Sequence, residues 1–417
     1  MKRLAIALAV LAIAAVAGCI AWAWQPAIAP IPRPPRNSFS QERIARGAEL
    51  AAIGDCAVCH TAQGGRPYAG GRGVPTPFGI IYATNITPDP DTGIGTWSEA
   101  AFRRTMRDGI SRNGTHLYPV LPYPHFTRAT DADIAALYAF LMTRTPVRAE
   151  APPNRLPFLL RPRILLAVWN VLFLRPGPWQ PDPSHDAQWN RGAYLVEAVG
   201  HCGACHSPHN VLGAEQADRR LGGGRAEGWY APPLQASSPA AAPWTQAALA
   251  TYLRTGMHPE HSAAAGPMTD VTEQLAQVPQ GDIEAIAAYI ASLMPKTQSS
   301  PPKFAAASPP DDPGRTLFEG ACAGCHAPDA PMTRSGAPSL ALSTAVNAPT
   351  PLGVIQVILN GIPWREGKAA PYMPGFAAAF SDEQIAAIAT YIRAAYTDKP
   401  AWTDLPNQVG QARQGEG

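Results

Sequence analysis

The chain has little net charge and lacks the marks of several common functional classes. Its 33 Lys and Arg residues nearly balance 31 Asp and Glu residues, which gives a formal net charge of only +2, and it has no basic tract. Nucleic-acid binding is therefore excluded, because it needs clustered positive charge. The glycine clusters at 70–73 and 222–224 lack the Lys-Ser/Thr ending of a phosphate-binding loop, so we interpret them as turns. No stretch shows the sustained alternation of a β-strand, which favours a mainly α fold.

Cysteine is scarce outside one repeated pattern. Six of the seven cysteines lie in three copies of Cys-x-x-Cys-His: Cys56, Cys59 and His60; Cys202, Cys205 and His206; Cys322, Cys325 and His326. Two thiols at this spacing can each form a thioether with a haem vinyl group, and the adjacent histidine then binds the iron. A redox dithiol would lie near a βαβ pattern, and a zinc site would place its other ligands in a second, distant pair. We therefore predict three covalently bound haems c.

An uncharged apolar run from Leu4 to Trp24 follows Lys2 and Arg3 at the N-terminus. As a helix it would span roughly 31 Å, close to the ~30 Å hydrocarbon core of a bilayer. We predict an uncleaved anchor in the inner membrane that leaves the haem domains in the periplasm, where bacteria complete haem attachment. Two alternatives stay open, a lipoprotein box ending at Cys19 and a signal-peptidase site at 15–17.

Proline-rich breaks divide the exported chain. Proline makes up 46 of the 417 residues, about twice its average usage of ~5%, which fits compact modules joined by stiff connections. The predicted order is a membrane anchor or signal segment (1–24), a tether (25–36), a first cytochrome c domain (37–150), a connection (151–183), a second domain (184–294), a linker (295–313), a third domain (314–398) and a tail (399–417). We call the three haem domains modules one, two and three. The extended tether would hold module one clear of the lipid headgroups.

The connection contains an apolar segment at 156–174. Arg161, Arg163 and two prolines interrupt it, so it is not a membrane span. We interpret it as an interfacial helix or as a docking face between modules.

Each module repeats one helical plan. A helix leads into the haem motif, and a second helix with apolar residues at helical spacing closes the module. The closing helices match at Ile134, Leu137 and Phe140, at Ile283, Ile286 and Tyr289, and at Ile385, Ile388 and Tyr391. Ser381 and Gln384 form a capping box at the start of the third. The plan resembles class I cytochrome c, so the predicted fold is mainly α, with three such domains in tandem after the anchor.

The distal ligand of each haem decides between electron transfer and chemistry on a small ligand. Met268 in module two and Met373 in module three lie between the haem motif and the closing helix, where a distal methionine belongs. Met257 competes with Met268, whereas Met294 is assigned to the core and Met332 lies too near its motif. We predict Met268 and Met373 as iron ligands.

Module one departs from this pattern. Leu121 stands where the distal ligand should be, and leucine cannot bind iron. His125, four residues later, is the predicted ligand. Met106, His116 and an open iron face remain as alternatives.

Together these segments resemble the three-haem cytochrome c subunit of bacterial membrane-bound periplasmic dehydrogenases. The resemblance rests on residues 54–60, on 76–79 and 84–89, and on 190–195 leading to 200–206. It implies an electron-transfer subunit without catalytic residues of its own. Such a subunit accepts electrons from a catalytic dehydrogenase subunit and passes them to membrane ubiquinone.

The resemblance leaves the catalytic partner open among three kinds. These are a quinoprotein alcohol dehydrogenase, a flavin-dependent sugar or gluconate dehydrogenase, and a molybdenum hydroxylase acting on aldehydes or N-heterocycles. Leu121 together with Tyr123-Pro124-His125-Phe126 is more similar to cytochromes that accompany molybdenum hydroxylases, including aldehyde dehydrogenases. Two other functions stay open, a peroxidase-like haem enzyme with an open iron in module one and a cytochrome c subunit of a terminal oxidase.

Overall fold

A computed structural model describes residues 2–295, 312–334, 339–364 and 372–415. The chain is mainly helical and forms two compact units. The first comprises 1–180 and 197–201, and the second comprises 181–196 and 202–417. Module one therefore lies in the first unit together with residues 197–201 of module two, and the rest of module two shares the second unit with module three.

The first unit contains seven α-helices within the described part of the chain. They are Lys2–Ala23 (α1), Gln41–Ile53 (α2), Cys56–Cys59 (α3), Glu99–Asp108 (α4), Tyr123–Phe126 (α5), Asp131–Met142 (α6) and Leu166–Phe173 (α7). Side-chain oxygens of Ser40, Ser98 and Thr130 accept backbone N–H groups and so begin α2, α4 and α6. Short 3-10 turns lie at Arg36–Ser38, Phe158–Leu160 and Arg163–Leu165.

The second unit continues the series through module three. Its helices are Ala187–Tyr194 (α8), Gly203–His206 (α9), Gln246–Thr255 (α10), Pro267–Leu275 (α11), Gln280–Leu293 (α12), Pro313–Ala321 (α13), Ala323–His326 (α14), Pro331–Arg334 (α15), Thr344–Asn347 (α16), Leu352–Asn360 (α17), Asp382–Tyr396 (α18) and Leu405–Gln414 (α19). A short π-helix at Leu195–Val199 follows α8, and its residues from Glu197 onward belong to the first unit. Short 3-10 turns lie at Ala217–Arg219 and Leu340–Leu342. The predicted capping box of Ser381 and Gln384 is confirmed at the start of α18.

One helix crossing occurs three times. The helix before each haem motif packs against the closing helix of its module, as α2 on α6, α8 on α12 and α13 on α18. A glycine lies at each crossing, and a methyl group on Gly47, Gly192 or Gly314 would overlap a backbone carbonyl of the facing helix. The backbones are therefore in direct contact, which is possible only without a side chain.

Replacing Gly192 by alanine is expected to lower the free energy of unfolding of module two by about 2 kcal/mol. The added methyl group would meet the carbonyl oxygen of Ala285, so α8 and α12 must separate. Gly281→Ala is the matched control, since a Cβ there has no neighbour within 4 Å. Thermal unfolding followed by circular dichroism would check this, and equal melting of the two variants would contradict it.

Three short antiparallel hairpins accompany the helices in the described residues. They pair Gly73–Thr76 (β1) with Gly79–Tyr82 (β2), Gly224–Ala226 (β3) with Trp229–Ala231 (β4), and Met257–His258 (β5) with Ser262–Ala263 (β6). No strand was predicted, because strands of two to four residues are too short to show alternation.

The predicted tether does not hold module one at a distance. Instead it is strapped along that module: the Ile28 N–H donates to Arg112 O at 2.8 Å, and the Ile31 N–H donates to Thr96 O at 3.0 Å. The Arg33 guanidinium donates to Met142 O at 2.8 Å. We call residues 23–33 the strap. Its backbone groups find partners on the module, which explains why it is not a free spacer.

The structure leaves the predicted N-terminal anchor untested but shows a helix in the predicted C-terminal tail. Within the described ranges, no helix combines the length and apolar character needed to cross a membrane, and the anchor stays a prediction. The predicted tail instead contains α19, whose Leu405 and Val409 belong to the core of module three. Helix α19 is thus part of that module.

Candidate haem-binding sites

The first motif places its groups on one short helix. Cys56 and Cys59 begin and end α3, and His60 follows directly. The His60 Nδ1 lies 2.6 Å from Thr84 O, so Nδ1 carries the proton and donates to that carbonyl. Nε2 then keeps its lone pair, and burial lowers the pKa of His60, which favours the neutral ring. This tautomer is the one that binds iron.

The second motif repeats this arrangement. His206 ends α9, and its Nδ1 lies 2.6 Å from Pro232 O. Burial again lowers the pKa of the imidazole. Thr84 and Pro232 both follow the hairpin that comes after the haem motif, at the ends of β2 and β4. The hairpin therefore delivers the carbonyl that orients the proximal histidine.

The third motif lies at the junction of α13 and α14. Cys322 separates the two helices, and His326 ends the second. Burial lowers the pKa of His326 and raises that of Cys322 to about 11. The Tyr396 hydroxyl of the closing helix donates to His326 O at 3.3 Å. The motif is thus fixed to the closing helix of its own module.

The other uses of a Cys-x-x-Cys pair fit poorly. A reactive dithiol needs a lowered thiol pKa, whereas burial, with Asp55 and Cys59 nearby, raises the pKa of Cys56 to about 12. Across the described residues, no group of three or more His, Cys, Asp or Glu side chains could hold a metal ion by itself. Two thiols on one helical turn beside an Nδ1-protonated imidazole fit a covalently attached haem.

The distal positions share one spacing. Gly109, Gly256 and Gly361 cap α4, α10 and α17, all with positive φ. Twelve residues after these glycines the chain has Leu121, Met268 and Met373. Met268 lies in the first turn of α11, and the backbone of Met373 forms a bridge with Ile362. The position twelve residues after the capping glycine is thus methionine in modules two and three and leucine in module one.

The competing methionines lie elsewhere. Met257 is in β5, where it pairs with Ala263. Met294 is buried at the end of α12, as expected for a core residue. Met332 is in α15 and is 39% exposed. None of these three occupies the position of Met268 or Met373.

The structure places His125 in a buried cluster. His125 lies in α5, and its Nδ1 is 3.0 Å from Glu197 O. Its ring packs against that of His201, whose Nε2 lies 3.1 Å from Gly54 O, two residues before Cys56. The Arg128 guanidinium lies 3.6 Å from the buried Glu197 carboxylate. Nothing in the sequence linked Glu197 or His201 to His125, because both are more than 70 residues from His125 along the chain.

The alternatives in module one have other surroundings. The His116 Nε2 lies 2.8 Å from Ala23 O, so this nitrogen is engaged by the strap. Met106 is buried in α4. The Nδ1 contact of His125 with a carbonyl, in contrast, repeats the contact seen at His60 and His206.

Two family models match parts of the chain. The model described as cytochrome c covers residues 44–145, and that described as cytochrome c oxidase, cbb3-type, subunit III covers 309–392. The first match falls in module one and the second in module three. Each includes a haem motif and the helices that cross beside it.

Curated relatives match most of the chain. It is 47% identical to a nicotinate dehydrogenase subunit of Pseudomonas putida over 94% of its length, but spans only 34% of that protein. It is 35% identical to the fructose dehydrogenase cytochrome subunit of Gluconobacter japonicus, with 92% of this chain and 85% of that protein covered. Identity to the gluconate 2-dehydrogenase cytochrome c subunit of Pantoea cypripedii is also 35%, covering 89% and 90%.

Proposed function

The chain belongs to the family of cytochrome c subunits of bacterial dehydrogenase complexes, and within that family we propose that it transfers electrons with three covalent haems. The resemblance drawn from the sequence is thereby confirmed. Subunits of this family are electron-transfer partners and not the catalytic subunits of their complexes. The chain is therefore part of an oxidoreductase complex without oxidising the substrate itself.

The Nδ1 hydrogen bonds of His60 and His206 carry the proposal. Each holds the imidazole in the tautomer whose Nε2 binds iron, and such an outer hydrogen bond also raises the basicity of the ligand. The two thiols of each motif would fix the haem by thioethers, and the bound haem would supply a one-electron redox centre. His326 and its cysteines repeat the same spacing in module three, which supports a count of three.

A molybdenum hydroxylase is the proposed catalytic partner. The support is the 47% identity to the nicotinate dehydrogenase subunit, together with Leu121 at the distal position and His125 four residues later. The relatives from fructose, gluconate and alcohol dehydrogenases are 35% identical or less. A partner that oxidises an N-heterocycle or an aldehyde fits these observations better than a quinoprotein or flavoprotein.

The proposed electron acceptor is membrane ubiquinone. The support for attachment to the inner membrane, with the haem modules in the periplasm, is the uncharged apolar run at residues 4–24 of the sequence. Lys2 and Arg3 precede this run, as expected for the cytoplasmic end of such an anchor. Electrons would then enter from the catalytic subunit and leave to the quinone pool.

Purification from native membranes tests this function. We expect a molybdenum hydroxylase subunit to co-purify, an N-heterocycle such as nicotinate to reduce the haems, and a short-chain ubiquinone to reoxidise them. Ethanol, fructose and gluconate are the matched control substrates. Haem reduction by one of these three would move the partner to another dehydrogenase class. Peroxide turnover without any co-purifying dehydrogenase would contradict the electron-transfer function in favour of a peroxidase.

The distal side of module one has its own test. If His125 is the ligand, His125→Ala should abolish a bis-histidine signal in low-temperature electron paramagnetic resonance. It should also create a haem that binds carbon monoxide, because one iron face opens. The potential of this haem should be the lowest of the three, since a second imidazole favours ferric iron relative to a thioether.

His116→Ala and Met106→Ala are the controls for that experiment. Both residues are buried in module one, so all three substitutions disturb packing in a similar way. An unchanged spectrum in the His125 variant with a changed one in either control would reassign the ligand. Carbon monoxide binding by the unmodified protein would show that the iron face is already open.

A further inference from the structure

An outward-facing apolar surface lies on the connection after module one. Six large apolar side chains between Leu156 and Leu174 are each about half or more exposed: Phe158 (77%), Leu159 (76%), Leu165 (53%), Val168 (54%), Val171 (60%) and Leu172 (49%). So many exposed large apolar side chains within one short segment indicate an interaction surface, because soluble proteins rarely expose large apolar patches without a partner. We call these six residues the apolar face.

Helix α7 within this surface has its one polar residue on the side that faces the module and exposed apolar residues on its outer side. Its polar residue Asn170 points toward the module, where it accepts a hydrogen bond from the Tyr123 hydroxyl at 2.7 Å and donates to Asp108 O at 3.1 Å. Val168 and Leu172, one helical turn apart, point away. Surface helices in water usually expose polar residues on their outer side, so the exposed apolar side of α7 is suited to an apolar surrounding.

The connection that carries the apolar face contacts residues 116–123 of module one. The Tyr118 hydroxyl donates to Leu160 O at 3.1 Å, and the Arg163 guanidinium lies 4.9 Å from the centre of the Tyr118 ring. His116, two residues earlier, contacts Ala23 O at the end of α1. One short segment, 116–123, therefore holds both the apolar face and the end of the N-terminal apolar helix.

The charged residues of the connection itself have one sign. Between Glu150 and Asp182 the chain has four arginines and no acidic residue: Arg155, Arg161, Arg163 and Arg175. Arginines beside exposed apolar side chains are typical of segments that lie in the interface of an anionic bilayer. A protein partner would need acidic side chains opposite each of these arginines, whereas an anionic bilayer presents negatively charged phosphate groups over its whole surface.

We infer that the apolar face and its arginines dock on the surface of an anionic phospholipid bilayer. This inference rests on one part of the proposed function, namely that the protein is attached to a membrane. Docking would place segment 116–123 of module one next to the lipid, on the same side as α1. The N-terminal helix would then not be a lone tether, because the module itself would lie against the membrane.

Photolabelling in proteoliposomes tests this inference on the full haem-containing chain. Vesicles of phosphatidylethanolamine and phosphatidylglycerol would carry a phospholipid with a diazirine in its acyl chain, and labelled peptides would be identified by mass spectrometry. We expect label in residues 156–174. The double variant Val168→Asp, Leu172→Asp should reduce this label on the order of tenfold, because charged side chains are unfavourable in the apolar part of the bilayer. Vesicles of phosphatidylcholine alone should also reduce it.

The matched control is Val211→Asp with Leu212→Asp. These two apolar residues are 90% and 52% exposed but lie in the second unit, so their change should leave the label in 156–174 unaltered. Labelling of 156–174 that resists the aspartates at 168 and 172, or is absent, overturns the inference. If the aspartates dissociate a dimer that forms in solution, the apolar face belongs to an interface between two copies of this chain. If they instead prevent co-purification of a catalytic subunit, the face belongs to the interface with that subunit. Substrate-dependent haem reduction in the variant reports separately on the proposed function.

Discussion

Replacing Cys202 and Cys205 by alanine is expected to reduce the haem content of the denatured protein from three to two per chain. Thioether bonds survive unfolding, whereas the iron bonds of His206 and a distal ligand do not. The loss should also unfold most of module two. A module of about 100 residues buries too little apolar surface alone, and the haem supplies part of its core. The pyridine haemochrome assay and intact mass would measure the haem count.

The same assay has a built-in comparison. Cys19 is the seventh cysteine and belongs to none of the motifs, so Cys19→Ala should leave three haems. Pairwise replacement at Cys56 and Cys59, or at Cys322 and Cys325, should remove one haem each. A count of two in the unmodified protein would show that one motif is not used.

Changing Met268 to alanine is expected to lower the reduction potential of the module two haem. Thioether ligation favours ferrous iron, so its loss should shift the potential by on the order of 0.1 V, within the ~0.8 V range that axial ligands cover. The weak sulfur-to-iron absorption of that haem should disappear. Module two should largely stay folded, because the thioether bonds of Cys202 and Cys205 still hold the haem. Met373→Ala should act in the same way on module three.

Met257→Ala provides the control for Met268. Met257 lies in the same module and is partly buried, but it belongs to β5 and not to the distal position twelve residues after Gly256. Its replacement should leave the absorption band and the potential unchanged. If Met257→Ala removes the band and Met268→Ala does not, the distal ligand has been assigned to the wrong residue.

The sequence was most informative where chemistry depends on local spacing. The haem motifs, the closing helices and the capping box at Ser381 can all be recognised within a few turns of chain. Leu121 was also recognised as the exception, since its place follows from the neighbouring modules. These features need only helical periodicity and a known ligand spacing.

The carbonyl groups that orient the histidine ligands could not be predicted from the sequence. The carbonyls of Thr84 and Pro232 have no side-chain signature, and they reach His60 and His206 only because a short hairpin turns back toward the motif. Glu197 meets His125 across 72 residues. Contacts of this kind depend on how helices pack, and no local pattern records them.

The strap has a consequence for how the N-terminus can be processed. Cleavage after residue 17 or lipidation at Cys19 would leave Ala23 and every later strap residue in place. All three maturation routes therefore keep the hydrogen bonds of Ala23, Ile28, Ile31 and Arg33 with module one. Release of the protein by a protease that cuts after residue 33 would be different, since it would strip these bonds and leave His116 without its carbonyl partner.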